Sequence, residues 1–349
     1  NMKIKKSLAA ILVEQNKPLE IGLIEFPETL EIGQVLVKLH FSGICGSQIG
    51  EIKGVKGPDP YLPHLMGHEG CATVLEIGKG VKTVSPGDLV VLHWKKGAGI
   101  ESNPPKYKYQ DSNLNAGWIT TFNEYAVISE NRCTAIPKET NKKIASLFGC
   151  AITTGFGTIE NIAKLKMGES VVIFGAGGIG LNMIQASLLR NAYPIIAVDL
   201  TEEKLSMAKE LGATHIINSK VKNAEQEITK ILGGNKLDVF IDNTGIPSII
   251  ELGYRVLKLK GKVVLVGVPK KGENINIFSL PMHFGKTIVG SHGGNINPEE
   301  DIIRYLNLIN SKSINLERLI SDYYDLKEIN VGISKILDGE ISGRIMIKF

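Results

Sequence analysis

The stretch SVVIFGAGGIG, residues 170–180, constrains the chain more than any other. Four apolar residues, Val171 to Phe174, run without alternation into Gly175, Gly177 and Gly180, and a helix-forming segment, IGLNMIQASLLRN, opens at the last two glycines. An apolar run of that kind reads as a strand covered on both faces. Each glycine then has its own physical reason. The first permits a tight turn, the second lets the backbone approach a pyrophosphate, and the third packs helix on strand. The helix start offers unpaired amides and a positive dipole end to phosphates, which adds Gly178 and Ile179 to the candidate contacts. A second strand, PIIAV, ends at Asp199, about 20 residues beyond the last glycine, where a carboxylate accepts ribose hydroxyls and repels a 2′-phosphate. The spacing therefore predicts NAD over NADP, with Lys204 of the next helix along the ribose edge.

That turn sits in the second of two rhythms. From residue 7 to about 150, short β-type runs (SLAAILV, QVLVKLHF, GCATVLEIG, GDLVVLHW, FNEYAVIS) are punctuated by Pro and Gly, which predicts an all-β, barrel-like half. Beyond 150, strands alternate with amphipathic helices, which predicts a parallel sheet. A chain of 349 residues exceeds what one core supports. The expected organisation is residues 1–151, a dinucleotide domain at 152–292, and a return to the first domain at 293–349, closed by a helix, PEEDIIRYLNLINS, and a strand pair in ISGRIMIKF. Residues 95–117 show no apolar period and read as a long surface loop, of the kind that is more often functional than idle.

Charge excludes two classes of partner. Lys plus Arg number 40 against 36 for Asp plus Glu, and the small excess is scattered, so neither nucleic acid nor a membrane surface is an expected partner. The N-terminal apolar run is short, is interrupted by Glu14 and reads as a first strand, with Asn1 ahead of Met2 read as an added residue. Four cysteines far apart, Cys45, Cys71, Cys133 and Cys150, argue against a disulfide framework and for a reducing, cytoplasmic setting.

Three of the polar positions raise a metal question. Cys45 stands in FSGICGSQIG with glycines on both sides, His68 precedes Glu69 in MGHEG, and Cys150 lies in LFGCAITTGFG. Two thiolates and one imidazole make a zinc site with its fourth position open, the catalytic form. The spacing matches no zinc-finger pattern, and on residues alone an isolated Cys or His is as readily a core side chain.

The ordered motifs GICGS, GHE, GDLVV, GCAITTGFG, GAGGIG, VDLTEEK, GATHIIN, VGVP and GRIMIKF resemble those of the medium-chain, zinc-dependent alcohol dehydrogenases over nearly the whole chain. The resemblance implies a GroES-like β-barrel catalytic domain plus a doubly wound (Rossmann) NAD-binding domain. It implies Cys45, His68 and Cys150 as ligands of a catalytic zinc, Glu69 as the acidic neighbour beneath it, and Ser47 as the hydroxyl that hydrogen-bonds the substrate oxygen. It further implies Thr154, Val266 and Val268 at the nicotinamide, Arg344 at the pyrophosphate, and a homodimer or homotetramer, with TIVGS as a candidate edge strand. The implied activity is reversible hydride transfer between an alcohol and NAD+, the alkoxide held at the zinc. Polyol dehydrogenases of the family usually carry a Glu where this chain has Cys150, which favours the alcohol branch.

Four departures from the family pattern stand out. Residues 95–117 lack the four cysteines of a structural zinc, so one metal per chain is expected. Gly50 replaces a frequent relay histidine, leaving a proton route through Ser47, a ribose hydroxyl and water, or through His64 or His93. Gln48 replaces an Asp and is expected to orient His68. Gly46 replaces a pyrophosphate-binding cation, which predicts weaker NAD binding and faster release. For the substrate, Trp94 is expected to form one wall with Phe156 nearby, and Lys95, Lys96 and Lys106 could meet an anionic or hydroxylated molecule. Alternatives are a polyol, sugar or nucleotide-sugar dehydrogenase, a zinc-free quinone or enone reductase, and a non-catalytic nucleotide-binding protein.

Overall fold

The computed structural model describes residues 2–312, 314–339 and 341–349; Asn1 lies outside them. The chain divides into two compact units, one of residues 1–153, 297–340 and 344–349, the other of 154–296 and 341–343.

In the second unit six parallel strands lie in the order His215–Asn218, Ile195–Asp199, Val171–Phe174, Leu237–Asp242, Leu257–Leu265, Thr287–Gly290. From Val171–Phe174 the sheet grows in one direction through Ile195–Asp199 and in the other through Leu237–Asp242. The carboxyl ends beside such a reversal are where doubly wound sheets bind ligands, and Gly175 follows there. Val172, Phe174, Ile196, Val198, Phe240 and Val263 of the sheet share a core with Ile228 and Ile250 of two flanking helices. One of these, Ala224–Ile231, was not foreseen from sequence; Asn223 caps it by accepting from the Gln226 amide at 3.0 Å.

In the first unit one sheet runs His64–Leu65, Lys6–Leu12, Glu20–Glu25, Tyr107–Tyr109, Ser112–Leu114. The other runs Cys133–Ile136, Leu89–His93, Glu69–Ile77, Gln34–Ile44, Arg344–Lys348, Ile320–Asp325, with Tyr125–Ser129 also on Gln34–Ile44. The long strand Gln34–Ile44 is bent by register shifts at Leu36/Val37 and Leu39/Phe41, which lets one strand serve two partners.

Two expectations are corrected here. Residues 95–117 are not a bare loop: Tyr107–Tyr109 and Ser112–Leu114 form a hairpin over Gln110 and Asp111, at φ 49 and 60. Tyr107 and Leu114 are 1% and 2% exposed, and Tyr107 Oη accepts from the Val127 amide at 2.8 Å. Strands of three residues are too short to show a period. At the C-terminus, only Arg344–Lys348 of ISGRIMIKF is a strand. Its neighbours are Gln34–Ile44, antiparallel, and Ile320–Asp325, parallel, the latter missed from sequence with the helix Ile329–Leu337. Among the described residues no helix is long and apolar enough to cross a membrane.

Candidate active site

The helix Gly46–Ile52 starts directly after the strand Gln34–Ile44, with Cys45 as its N-cap in extended geometry. Gln48 Oε1 accepts from the Cys45 amide at 3.1 Å. The amide expected beside His68 thus serves the helix start and fixes the backbone that carries Cys45.

Cys45, His68 and Cys150 come together as the sequence suggested. One donor atom from each lies within 4.8 Å of the others, and the two sulfurs are 3.9 Å apart. His68 Nε2 is buried without a hydrogen-bond partner, which costs about 1–3 kcal/mol when nothing satisfies it. A borderline-soft cation suits two thiols and an imidazole, so this donor set fits zinc. The thiol pair shares a proton unequally. The hydrogen bond from Cys150 draws Cys45 well below the ordinary thiol range against the effect of burial, aided by the charges of Arg344 and His68. The same hydrogen bond, with burial and the Glu69 charge, pushes Cys150 up. The other two cysteines are of a different kind: burial pushes Cys71 up to about 12 against the Lys142 charge, and burial with the Glu130 charge pushes Cys133 up as well.

Glu69 organises the space behind the ligands. It is 0% exposed, its Oε1 and Oε2 accept from Nε and Nη2 of Arg344 at 3.0 Å each, and Oε2 also accepts from the Ala151 amide at 2.8 Å. Since Ala151 follows Cys150, one carboxylate ties the third ligand's segment to the C-terminal strand. Two glycines make room for it. A Cβ on Gly43 would sit 1.9 Å from Glu69 Oε1, and one on Gly149 would sit 2.2 Å from the Leu92 carbonyl and 2.9 Å from Glu69 Cα. Sequence reasoning missed both roles, because the glycines are needed only once Glu69 has been packed against them. Arg344, expected at the pyrophosphate, places two of its nitrogens on Glu69 and is 5% exposed. Burial opposes its charge, but Glu69 with Cys45 and Cys150 holds its pKa above the ordinary value.

Ser47 is exposed on the first turn of the helix, and nothing lies within 4 Å of a Cβ on Gly46. A Cβ on Gly50 would meet Val55 Cγ2 at 3.0 Å, so this turn has little room for a larger residue there. Of the two relay candidates, His93 is buried with Nδ1 on the Lys95 carbonyl at 2.7 Å and Nε2 on Thr134 Oγ1 at 2.8 Å; burial lowers it to about 4. It is a core histidine. His64 sits between Asp59 and Glu51. Trp94 is half-buried, whereas Phe156 and Thr154 are buried in the helix Ala151–Gly157.

In the second unit the glycine turn has the expected form. Gly175 is at φ +104, the left-handed region that only glycine enters freely. Gly177, the N-cap of the helix Gly178–Leu189, has open space where a Cβ would be. A Cβ on Gly180 would sit 2.0 Å from the Gly175 carbonyl, so the third glycine packs the helix on the turn itself. Asp199 has a local task that sequence did not reveal: Oδ2 accepts from the Ala176 amide at 2.8 Å and Oδ1 from the Leu200 amide at 2.7 Å. Lys204 is half-buried on the neighbouring helix Glu202–Glu210. Val266 donates its amide to the Asp242 carbonyl at 2.8 Å, and Val268 is exposed. Gly177 thus leaves open space at the start of the helix Gly178–Leu189, and helix starts of this kind favour phosphates.

Comparison with known proteins agrees with this geometry. Residues 31–138 match the alcohol dehydrogenase GroES-like domain and residues 178–311 the zinc-binding dehydrogenase domain. Among curated proteins the chain is 29% identical to an S-(hydroxymethyl)glutathione dehydrogenase of Synechocystis, over 96% of this chain and 98% of that one. It is likewise 29% identical to an NDMA-dependent alcohol dehydrogenase of Amycolatopsis methanolica, over 98% and 99%. Among solved structures, benzyl alcohol dehydrogenase from Acinetobacter calcoaceticus superposes with a TM-score of 0.90 at 28% identity, over 99% of this chain and 100% of that one. The chain belongs to the zinc-dependent alcohol dehydrogenases of the medium-chain dehydrogenase family.

Proposed function

We propose that this dehydrogenase oxidises an aromatic or extended primary alcohol with NAD+, using one zinc held by Cys45, His68 and Cys150. The convergence of those three donors around an unpartnered histidine nitrogen carries the reading. A zinc held there supplies Lewis acidity, of the kind that lowers the pKa of a bound water from about 15.7 toward 7. Ser47 hydrogen-bonds the substrate oxygen, while Glu69 and Arg344 keep the segment after Cys150 in position. Gly175, Gly177, Gly178, Ile179 and Gly180 receive the pyrophosphate, with Arg344 assigned to Glu69 first and to the pyrophosphate second. Thr154, Val266 and Val268 contact the nicotinamide, which accepts the hydride. Asp199 takes the ribose hydroxyls with Lys204 along the edge; its fixed charge beside the Ala176 and Leu200 amides supports NAD over a 2′-phosphorylated cofactor.

The aromatic preference is supported by the likeness to the Acinetobacter benzyl alcohol dehydrogenase. The sugar-type alternative drew on the lysines after Trp94, and Lys96 lies 3.4 Å from Glu101, which lends that alternative no support. The edge position of Thr287–Gly290, with exposed Leu280, Met282 and Phe284 just before it, supports a homodimer or homotetramer. Four free cysteines support a cytoplasmic setting.

The test is metal analysis of dialysed protein joined to a turnover screen of benzyl alcohol, ethanol and sorbitol with NAD+ and with NADP+. About one zinc per chain, with NAD+ and benzyl alcohol preferred, is the expected result. Protein that binds no zinc and turns over no alcohol ends this reading.

A further inference from the structure

Besides Cys45, His68 and Cys150, the first unit holds a second group of titratable side chains. Glu51, Asp59 and His64 bring one donor atom each within 4.8 Å of one another. His64 Nε2 lies 2.9 Å from Asp59 Oδ2 and 3.6 Å from Glu51 Oε1, while Nδ1 is 2.8 Å from the Leu65 carbonyl. A carbonyl can only accept, so Nδ1 carries a hydrogen. A neutral ring would then present the bare lone pair of Nε2 to two carboxylates. An additional proton placed between Nε2 and those oxygens would satisfy all three groups, so the cluster is built to take up one proton.

The group is built into the fold. Asp59 Oδ1 accepts from the Tyr61 amide at 2.8 Å and the Asp59 amide donates to Gln15 Oε1 at 3.3 Å. Gln15 Nε2 in turn donates to the Gly57 carbonyl at 3.2 Å and the Glu51 carbonyl at 3.5 Å, which pins the loop to the helix Gly46–Ile52. The three side chains form a gradient of access, 9% for His64, 12% for Asp59 and 45% for Glu51. On the helix, Gln48, Ile49 and Ile52 are buried, while Ser47 and Glu51, four residues apart and so on one face, are exposed.

Resting on the dehydrogenase reading above, we propose that Glu51 is the acceptor that carries the alcohol proton away from the reaction site, with His64 and Asp59 as its positioning residues. In the oxidation the carbon-bound hydrogen leaves with two electrons to the nicotinamide, the O–H bond breaks, and the carbonyl forms. The released proton goes, directly or through Ser47 or water, to the Glu51 carboxylate, which passes it to Nε2 and Asp59 or to solvent and is restored. The groups facing Glu51 are His64, Asp59, His68 and Lys56. Desolvation raises its pKa above the ordinary carboxylate range, His64, His68 and Lys56 oppose this, and Asp59 adds to it. A raised carboxylate is a better proton acceptor near neutral pH.

The decisive experiment measures kcat for alcohol oxidation against pH in wild type, Glu51→Gln, Glu51→Asp and His64→Asn, with added imidazole, alongside zinc content and thermal melting. Wild-type kcat is expected to rise as pH passes through the Glu51 titration and then level. Glu51→Gln is expected to lose about 100-fold at pH 7, to keep its zinc and melting temperature, to lose the plateau, and to recover in proportion to imidazole. Glu51→Asp should retain the wild-type profile shape, and His64→Asn should shift the profile rather than abolish it. A Glu51→Gln enzyme with the wild-type profile and no response to imidazole overturns the proposal. So does a second zinc equivalent that His64→Asn removes, because the three groups are then a cation site. A wild-type protein that oxidises no alcohol with either nicotinamide cofactor defeats the dehydrogenase reading itself and this proposal with it.

Discussion

The glycine turn at 175–180 and the ligand cluster around Cys45 are built from opposite materials. The turn works through missing side chains: Gly175 takes a conformation others resist, Gly177 leaves space, and Gly180 lets a helix touch a carbonyl. The ligand cluster works through side chains gathered from distant parts of the chain. Glu69 and Arg344, 275 residues apart in sequence, form a bidentate ion pair in the buried space behind it. A backbone device depends on its neighbours in sequence, whereas a side-chain device depends on the whole unit. The first should therefore fail locally when altered, and the second globally.

The largest effect expected from that contrast is at Arg344. Arg344→Met leaves the Glu69 carboxylate buried without its cation, and removing one partner of a buried pair costs about 3–5 kcal/mol. Chemical denaturation should show that loss for Arg344→Met and for Glu69→Leu, with the double variant recovering a substantial part of it. Two single variants within about 0.5 kcal/mol of wild type would show that the ion pair does not brace the unit, and the contrast would collapse.

That difference also governs what could be read from sequence. The strand, the turn and the carboxylate at 199 follow one another within a single supersecondary unit, so each checks the others. Lys6–Leu12, Gln34–Ile44, Glu69–Ile77, Leu89–His93 and Tyr125–Ser129 of the β half were legible as apolar runs between turn residues, whereas Glu20–Glu25 and Ile320–Asp325, six residues each and largely half-buried or exposed, were not. The hairpin at 107–114 was not, because it packs through two residues, Tyr107 and Leu114, in strands of three. Glu51 and Asp59 carry no signal of their own. Glu51 gains meaning from standing four residues after Ser47, and Asp59 from the hydrogen bonds that fold its loop back. The proposed ligand residues were named through resemblance to a family, while the glycines at 43 and 149 that give Glu69 its room were not.

The glycine turn can be probed with a pair of alanine variants that should separate. Gly180→Ala forces a methyl to within 2.0 Å of the Gly175 carbonyl, a backbone atom that cannot rotate away. Overpacking of this kind costs about 1–3 kcal/mol, and dinucleotide affinity should fall with it. Gly177→Ala meets nothing within 4 Å and has no positive φ, so stability should stay within about 0.5 kcal/mol of wild type. Its methyl would stand in the space proposed for the pyrophosphate, so cofactor affinity alone should drop. Denaturation and fluorescence titration with NADH check both arms; equal loss of stability in the two variants would mean the turn is not the local device described.

The smallest effect tests whether an open position in the side-chain region can be filled without global consequence. Gly46 follows Cys45 directly, yet a Cβ there meets nothing within 4 Å. Gly46→Arg therefore introduces no clash, and its cation near a helix start should cost only about 0.3–1 kcal/mol. The expected gain is in cofactor retention: a guanidinium added at this position should slow NADH release, because a charge-assisted hydrogen bond to a phosphate is stronger than a neutral one. Stopped-flow displacement of bound NADH measures the rate directly, and a rate unchanged from wild type would show that Gly46 does not set cofactor release. A slower release with unchanged melting would mean that even beside Cys45 some positions behave like Gly177, answering to the cofactor rather than to the fold.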